Sequence, residues 1–269
     1  MENKKFDFFV GTCVIESEQM CMDVAGRLTE IFDKYKNEVN FSYKGSFDKA
    51  NRTSKDSFRG PGLEKGLEIL AKVKKAYGVP LITDFHTAEQ AMKVAEVVDT
   101  LQVPAFLCRQ TDMIIAGAEA CKKFGGQLKI KKGQFLSPEE TGNIVEKANE
   151  YLPKERILLT ERGTSFGYNN LVVDMASFQI MKSFGVRAIH DATHCVQRPG
   201  GLGKITGGKR EQILTLARAA VAAGADGIFM EVHPKPEEAK SDSATSLPLD
   251  KAPEIIEKLL EIHRVVRNG

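Results

Sequence analysis

The sequence predicts a parallel (β/α)8 barrel occupying residues 1–269 as a single domain. Three observations predict it. Short β-prone runs alternate with amphipathic helical stretches from end to end. There are eight such units at roughly thirty residues each, the repeat length of a barrel of this class. No Pro/Gly/Ser-rich linker or composition break divides the chain. An open doubly wound sheet is the alternative, but those more often stop at five or six strands.

The strands are placed, in order, at 6–10, 39–44, 80–85, 100–103, 128–132, 156–161, 187–192 and 227–232, each followed by a helical pattern. In 62–77, Leu63, Leu67, Leu70, Val73 and Ala76 recur at helical spacing. Thr87-Ala-Glu-Gln90 reads as a capping box opening 87–98. Ser137-Pro-Glu-Glu140 sets Ser before a Pro at the first position of a helix over 138–151. A further helix is predicted at 210–223.

Composition narrows the function classes. The 38 Lys+Arg and 36 Asp+Glu give a net charge of +2, which argues against a nucleic-acid binder or a highly charged disordered chain. No apolar run approaches the ~20 residues of a membrane span. The apolar run 6–10 is short and broken by Asp7, so no signal peptide is expected. Five cysteines without a Cys-x-x-Cys suit a reducing, cytoplasmic setting, in which a special cysteine is a ligand or nucleophile. The Asn-x-Ser/Thr matches at Asn40 and Asn51 are then coincidental.

In such barrels the chemistry sits at the C-terminal strand ends and the loops beyond them. Lys44, Lys49, Arg52, Arg109, Lys131, Lys132 and Arg162 all fall there. Most Lys and Arg are solvated surface residues, but this many at one mouth call for a polyanionic ligand. Arg forks pair with phosphate oxygens and Lys supplies point charge. Two phosphorylated ligands or one bisphosphate would use it.

Cys13, His194, Glu231 and Asp242 follow strands one, seven and eight, and strands one and eight become neighbours on closure. Thiolate, imidazole and carboxylate together suit Zn²⁺, Fe²⁺ or Mn²⁺. No two of them share a local motif, and a buried cysteine is ordinarily a small hydrophobe. His86 and His233 compete for the imidazole role, whereas His190 lies inside a strand and is expected to pack. The loop from Pro199 to Arg210 matches most of a Walker A spacing, but Arg210 stands where Ser or Thr is needed. It is read as a flexible loop able to cover a phosphate at the following helix N-terminus. Arg59-Gly-Pro-Gly62 follows no strand directly, so it is no dinucleotide fingerprint.

Several strings are familiar together. Lys44-Gly-Ser-Phe-Asp-Lys-Ala-Asn-Arg52, Phe58-Arg-Gly-Pro-Gly62, Pro104-Ala-Phe-Leu-Cys-Arg-Gln110, Lys131-Lys-Gly-Gln-Phe135, Thr160-Glu-Arg-Gly163, Phe166-Gly-Tyr-Asn-Asn-Leu171, Asp191-Ala-Thr-His194 and Met230-Glu-Val-His-Pro234 span nearly every strand end. The chain thereby resembles the 3-deoxy-D-manno-octulosonate 8-phosphate synthases over essentially its whole length. The related heptulosonate synthases are expected to carry Lys-Pro-Arg-Thr where this chain has Lys49-Ala-Asn-Arg52.

The resemblance implies condensation of phosphoenolpyruvate with D-arabinose 5-phosphate, releasing phosphate, a step of lipopolysaccharide biosynthesis. Cys13 in the strand-one motif and Ser241-Asp-Ser-Ala-Thr245 resemble the metal-dependent class. The implied metal ligands are Cys13, His194, Glu231 and Asp242, holding one divalent transition metal. The implied catalytic set is Lys49, His194, Asp84 and Cys13. Arg162 and Lys131 would hold the phosphate of phosphoenolpyruvate, with Lys44, Lys49 and Gln110 near its carboxylate or reacting carbons. Asn51, Arg52 and Thr53 would take the sugar phosphate, assisted by Arg109 from a neighbouring subunit of a homo-oligomer, commonly a tetramer. Ser46 and Gln102 complete the substrate-binding set, and Asp84 would face the sugar hydroxyls or aldehyde. Gly45 stands where a serine is expected. No nucleic-acid or membrane partner is expected.

Three alternatives stay open. One is the heptulosonate-type synthase, and another a Schiff-base aldolase using Lys131 or Lys132. The third is a non-catalytic sugar-phosphate-binding barrel.

Overall fold

The computed structural model describes residues 5–51, 54–202 and 205–268. Its main sheet contains eight parallel strands: β1 (Phe6–Val14), β2 (Val39–Ser46), β3 (Leu81–Asp84), β4 (Thr100–Val103), β5 (Gln127–Lys131), β6 (Ile157–Glu161), β7 (Arg187–Asp191) and β8 (Gly227–His233). They pair in chain order, and β8 returns to pair with β1 from Asp7↔Gly227 to Gly11↔Glu231. The sheet therefore closes, as the alternation predicts, and the doubly wound alternative falls.

The helices are α1 (Glu18–Asp33), α2 (Leu63–Tyr77), α3 (Gln90–Ala95), α4 (Thr111–Phe124), α5 (Thr141–Asn149), α6 (Ser177–Ser183), α7 (Ile213–Ala222) and α8 (Ala252–Asn268). Apolar residues on both faces of the strands explain why the strands read as nearly continuous hydrophobic runs. Phe8, Val10, Leu101 and Ile130 join the large core shared with the helices. Phe9, Ile82, Leu158, Ile189 and Phe229 form a separate apolar plug.

Local signals account for several element ends. Gly78 ends α2 in the left-handed region (φ 67°), its N–H donating to the Lys74 carbonyl. Ser137 and Glu140 form a reciprocal capping box before α5: Ser137 N donates to Glu140 Oε2 at 2.8 Å and Glu140 N to Ser137 Oγ at 3.4 Å. The box expected at Thr87 forms differently. Gln90 Oε1 accepts from His86 N instead, and α3 starts at Gln90.

Two expectations need correction. β1 runs four residues beyond its predicted end, with a register shift against β2 between Gly11 and Val14. Cys13 therefore lies on the strand, not in the loop after it. The glycine-rich segment is not a plain loop: Gln197–Leu202 and Ile205–Gly208 pair as an antiparallel hairpin. Beyond it a short 3-10 turn, Arg210–Gln212, precedes α7. Among the described residues no helix is long and apolar enough to cross a membrane. All five cysteines are buried and free.

Candidate active site

The site begins where β2, β1 and β8 lie side by side. Lys44, Gly11 and Glu231 share one register row. Gly11 has no side chain to separate its neighbours, and Lys44 Nζ reaches across to Glu231 Oε1 at 2.6 Å. Lys44 also donates to the carbonyls of Thr12 (3.1 Å) and Cys13 (2.5 Å). Both members of the pair are essentially inaccessible, so neither charge is paired by solvent. Lys49 Nζ lies 3.7 Å from the same Glu231 oxygen. Burial opposes the charge on Glu231, but Lys44, Lys49 and His194 bring its pKa down to about 2. Burial likewise opposes the Lys49 ammonium, yet Cys13, Glu231, Asp84 and Asp242 hold its pKa well above the ordinary lysine value. Lys49 is thus favoured in its charged form.

A set of soft and hard donors sits directly beside this pair. Donor atoms of Cys13, Glu231 and Asp242 all lie within 4.8 Å of one another. His194 Nε2 is 3.5 Å from Glu231 Oε2 and 3.7 Å from Asp242 Oδ2. Cys13 Sγ donates to Asp242 Oδ2 at 3.1 Å. Among the described residues Glu231 Oε2 is buried without a hydrogen-bond partner, the cost of which a cation would remove. Asp242 adopts a left-handed backbone (φ 50°), a conformation held by its carbonyl accepting from Thr245 N and Ser246 N. Sulfur, imidazole and two carboxylates in this arrangement fit a borderline divalent transition metal. Burial pushes the Cys13 thiol up, with Asp242 and Glu231 adding to it, so loading an ion would release its proton.

Asp191 orients the imidazole. His194 Nδ1 sits 2.9 Å from Asp191 Oδ1 and His194 N donates to the same oxygen at 3.0 Å, which leaves Nε2 for the cluster. Lys131 Nζ pairs with Asp191 Oδ2 at 2.8 Å and stands 4.1 Å from the centroid of Phe229. Arg162 donates through Nη2 to Gln197 Oε1 at 3.0 Å, and Gln197 Nε2 donates to Asp242 Oδ1 at 3.0 Å. Among the described residues Arg162 Nη1 is buried with no partner, so a guanidinium edge is left for an anion. Neither Asp191 nor Gln197 was assigned a role from sequence. The three-residue spacing of Asp191 and His194 is a readable carboxylate–histidine signal. Gln197 gives none, because it reaches the site only through the hairpin.

The opposite wall holds Asp84. Its Oδ2 accepts from Ser46 Oγ at 2.6 Å and its Oδ1 from Gln102 Nε2. Burial opposes its charge, but Lys49, Lys44 and Lys131 keep the carboxyl well below the usual carboxylate range. Behind Gln102 stands Lys129, a buried lysine that the sequence reading did not single out.

Other expected members sit elsewhere. Lys132 does not face the mouth. It is fully buried beside Glu161 (3.6 Å) and donates to Thr164 Oγ1 and the Leu136 carbonyl, because neighbours on a strand point to opposite faces. Gly45 also turns away: a Cβ there would meet Ile15 and Leu70 at 3.4 Å, so a serine would reach the helix layer. Arg109 and Gln110 are exposed before α4, and Asn51 is exposed in a turn. Arg52 and Thr53 lie outside the described residues. His86 Nε2 is 3.0 Å from the Asp48 carbonyl, and His233 lies 3.4 Å from Glu16, so neither is the cluster's imidazole. His190 packs edge-on against Phe178, as its strand position predicts.

Comparison with known proteins agrees with this geometry. The family model of the DAHP synthetase I family matches residues 2–267. A 2-dehydro-3-deoxyphosphooctonate aldolase of Francisella tularensis subsp. holarctica is 54% identical over 265 residues, covering 98% of this chain and 94% of that protein. The protein of the same name from Burkholderia multivorans is 49% identical over 272 residues, covering 99% and 94%. The chain belongs to the DAHP synthetase I family, and within it is similar to the 2-dehydro-3-deoxyphosphooctonate aldolases.

Proposed function

We propose that this chain condenses phosphoenolpyruvate with D-arabinose 5-phosphate and water, giving 3-deoxy-D-manno-octulosonate 8-phosphate and inorganic phosphate. The observation that carries the reading is the buried four-donor cluster flanked by Lys44, Lys49, Lys131 and Arg162 at one barrel end. The names of the relatives support it.

The weakly nucleophilic C3 of phosphoenolpyruvate attacks the sugar aldehyde, which demands that both carbons be held in near-attack geometry. Positive charge at C2 is quenched by water, and phosphate leaves by cleavage of the C2–O bond. Arg162, with Nη1 unpartnered, and Lys131 would bind the phosphate of phosphoenolpyruvate. Lys49 would stand by its carboxylate and reacting carbons. Lys44, saturated by Glu231 and two carbonyls, anchors Glu231 instead. Asp84, clamped by Ser46 and Gln102, would accept from the sugar. These fixed charges stabilise the polyanion without reorganising at the moment of reaction. Cys13, His194, Glu231 and Asp242 would hold one Zn²⁺, Fe²⁺ or Mn²⁺. When bound, such an ion lowers the pKa of a water, polarises an aldehyde or orients the reactants.

The sugar-phosphate tail would lie over Asn51, Arg52 and Thr53. Gln110 would serve the rim, and Arg109 would enter the site of a neighbouring subunit in a homotetramer. The rival aldolase mechanism loses Lys132 to the structure, and Lys131 is ion-paired with Asp191.

Phosphate release from phosphoenolpyruvate with arabinose 5-phosphate, set against erythrose 4-phosphate, tests the reading. Preference for the pentose phosphate is expected, and preference for the tetrose would assign the heptulosonate reaction. A borohydride-trapped adduct with the substrates would restore the Schiff-base mechanism.

A further inference from the structure

β5 sends Lys129 into the barrel interior, where it is fully buried. Its Nζ stands 4.6 Å from the ring centroid of Phe229 and 5.4 Å from that of Phe9, two members of the apolar plug. Among the described residues it makes no ion pair. Its hydrogen bond goes to Gln102 Oε1 at 2.8 Å. An amine in an apolar core is costly to bury, and one hydrogen bond without an ion pair offsets only part of that cost. The position therefore calls for a reason.

The register supplies one. Asp84 pairs with Gln102 across β3 and β4, and Gln102 pairs with Lys129 across β4 and β5. The side chains form a directional rail: Lys129 Nζ donates to Gln102 Oε1, Gln102 Nε2 to Asp84 Oδ1, and Ser46 Oγ to Asp84 Oδ2. The ionised Asp84 only accepts, so Gln102 must turn its NH₂ towards β3. That leaves the amide oxygen facing β5, in the protein interior, where it needs a donor. Lys129 is the donor.

We propose that Lys129 is a positioning residue: acting through the amide of Gln102, it fixes the Asp84 carboxylate at the sugar-phosphate end of the site. This rests on the reading that Asp84 faces the aldose phosphate. Burial pushes the Lys129 ammonium well below the ordinary lysine range, with Lys131 adding to the effect and Asp191 and Asp84 opposing it. Its removal should act first on Gln102, the one side chain it is bonded to among the described residues. Lys131 and Arg162 hold their own partners, Asp191 and Gln197, independently of Lys129.

The test is steady-state kinetics of the metal-loaded enzyme for the wild type, Lys129→Met, Lys129→Gln, Gln102→Leu and the Lys129→Met/Gln102→Leu double variant. Thermal unfolding serves as the control for folding. Lys129→Met is expected to raise KM for arabinose 5-phosphate about tenfold and leave KM for phosphoenolpyruvate within about twofold, within the span of coupling between contacting side chains. Lys129→Gln, which keeps an amide donor, should recover part of the loss. In the Gln102→Leu background, Lys129→Met should add less than about twofold.

Equal rises in both KM values, no change in either, or additive effects in the double variant would overturn the inference. If Lys129→Met does not fold, Gln102→Leu decides: a KM rise confined to the sugar phosphate supports positioning through the Gln102 amide, and an equal or absent rise refutes it. Failure of the functional reading shows separately, as a wild type that releases no phosphate with arabinose 5-phosphate.

Discussion

Lys44 Nζ and Glu231 Oε1 meet at 2.6 Å across an intervening strand, because the residue between them in register is Gly11. A Cβ at Gly11 would lie 2.0 Å from the Lys44 carbonyl oxygen, so no other residue fits between them. Removing one partner of so deeply buried a pair leaves the other charge unpaired. Lys44→Met is expected to lower the unfolding free energy by about 3–5 kcal/mol. Denaturant titration checks this, and a Lys44→Met/Glu231→Gln double variant should be less destabilised than the sum of the two single changes.

Asp191 holds His194 through Nδ1, the ring nitrogen that does not face the other donors. Asp191→Asn should weaken divalent-metal affinity by about 10–100-fold, as outer-shell carboxylates do elsewhere. Competition with a chromophoric chelator measures this without reference to activity. An unchanged affinity would remove Asp191 from the metal site.

Arg162 offers a buried Nη1, unpartnered among the described residues, at the proposed phosphate position. Arg162→Ala should raise KM for phosphoenolpyruvate between about tenfold and a hundredfold, the worth of a charged hydrogen bond in a buried site. KM for arabinose 5-phosphate should move far less. The opposite pattern would exchange the two phosphate assignments.

His190 makes stability depend on pH. Burial lowers its pKa from 6.5 to about 4, with Asp191 opposing. Above pH 6.5 the imidazole is neutral in both folded and unfolded chains, and its contribution is fully present. As pH falls from 6.5 towards 4 the unfolded chain takes up the proton and the folded chain does not, so stability is lost. The loss amounts to about 3 kcal/mol at roughly 1.4 kcal/mol per pH unit. Denaturant unfolding at pH 7 and pH 4.5 should show a smaller pH decrement in His190→Asn than in the wild type.

The barrel was readable because each strand announces itself by an apolar run and each helix by its spacing, and because Ser137 before Pro138 marks the start of a helical segment, which the structure closes with a Ser137–Glu140 box. The inward cations Lys44, Lys131 and Arg162 were readable because strand ends carry the chemistry of this fold. Lys132 stands at a strand end like the others, but one residue on from Lys131 it points to the opposite face and pairs with Glu161. The same alternation puts Lys129 on the inward side with Lys131, but an apolar interior is where sequence reasoning least expects an amine. Gln197 depends on a hairpin whose glycines read as a plain loop, so no local pattern marks it.

The most direct test is phosphate release from phosphoenolpyruvate and arabinose 5-phosphate, measured with metal content before and after exhaustive chelation and again after adding back Zn²⁺, Fe²⁺ or Mn²⁺. The account predicts about one bound ion per chain, activity lost with that ion and restored on its return, and a Cys13→Asn variant that keeps some activity without it. Full activity in the metal-free wild type would contradict it.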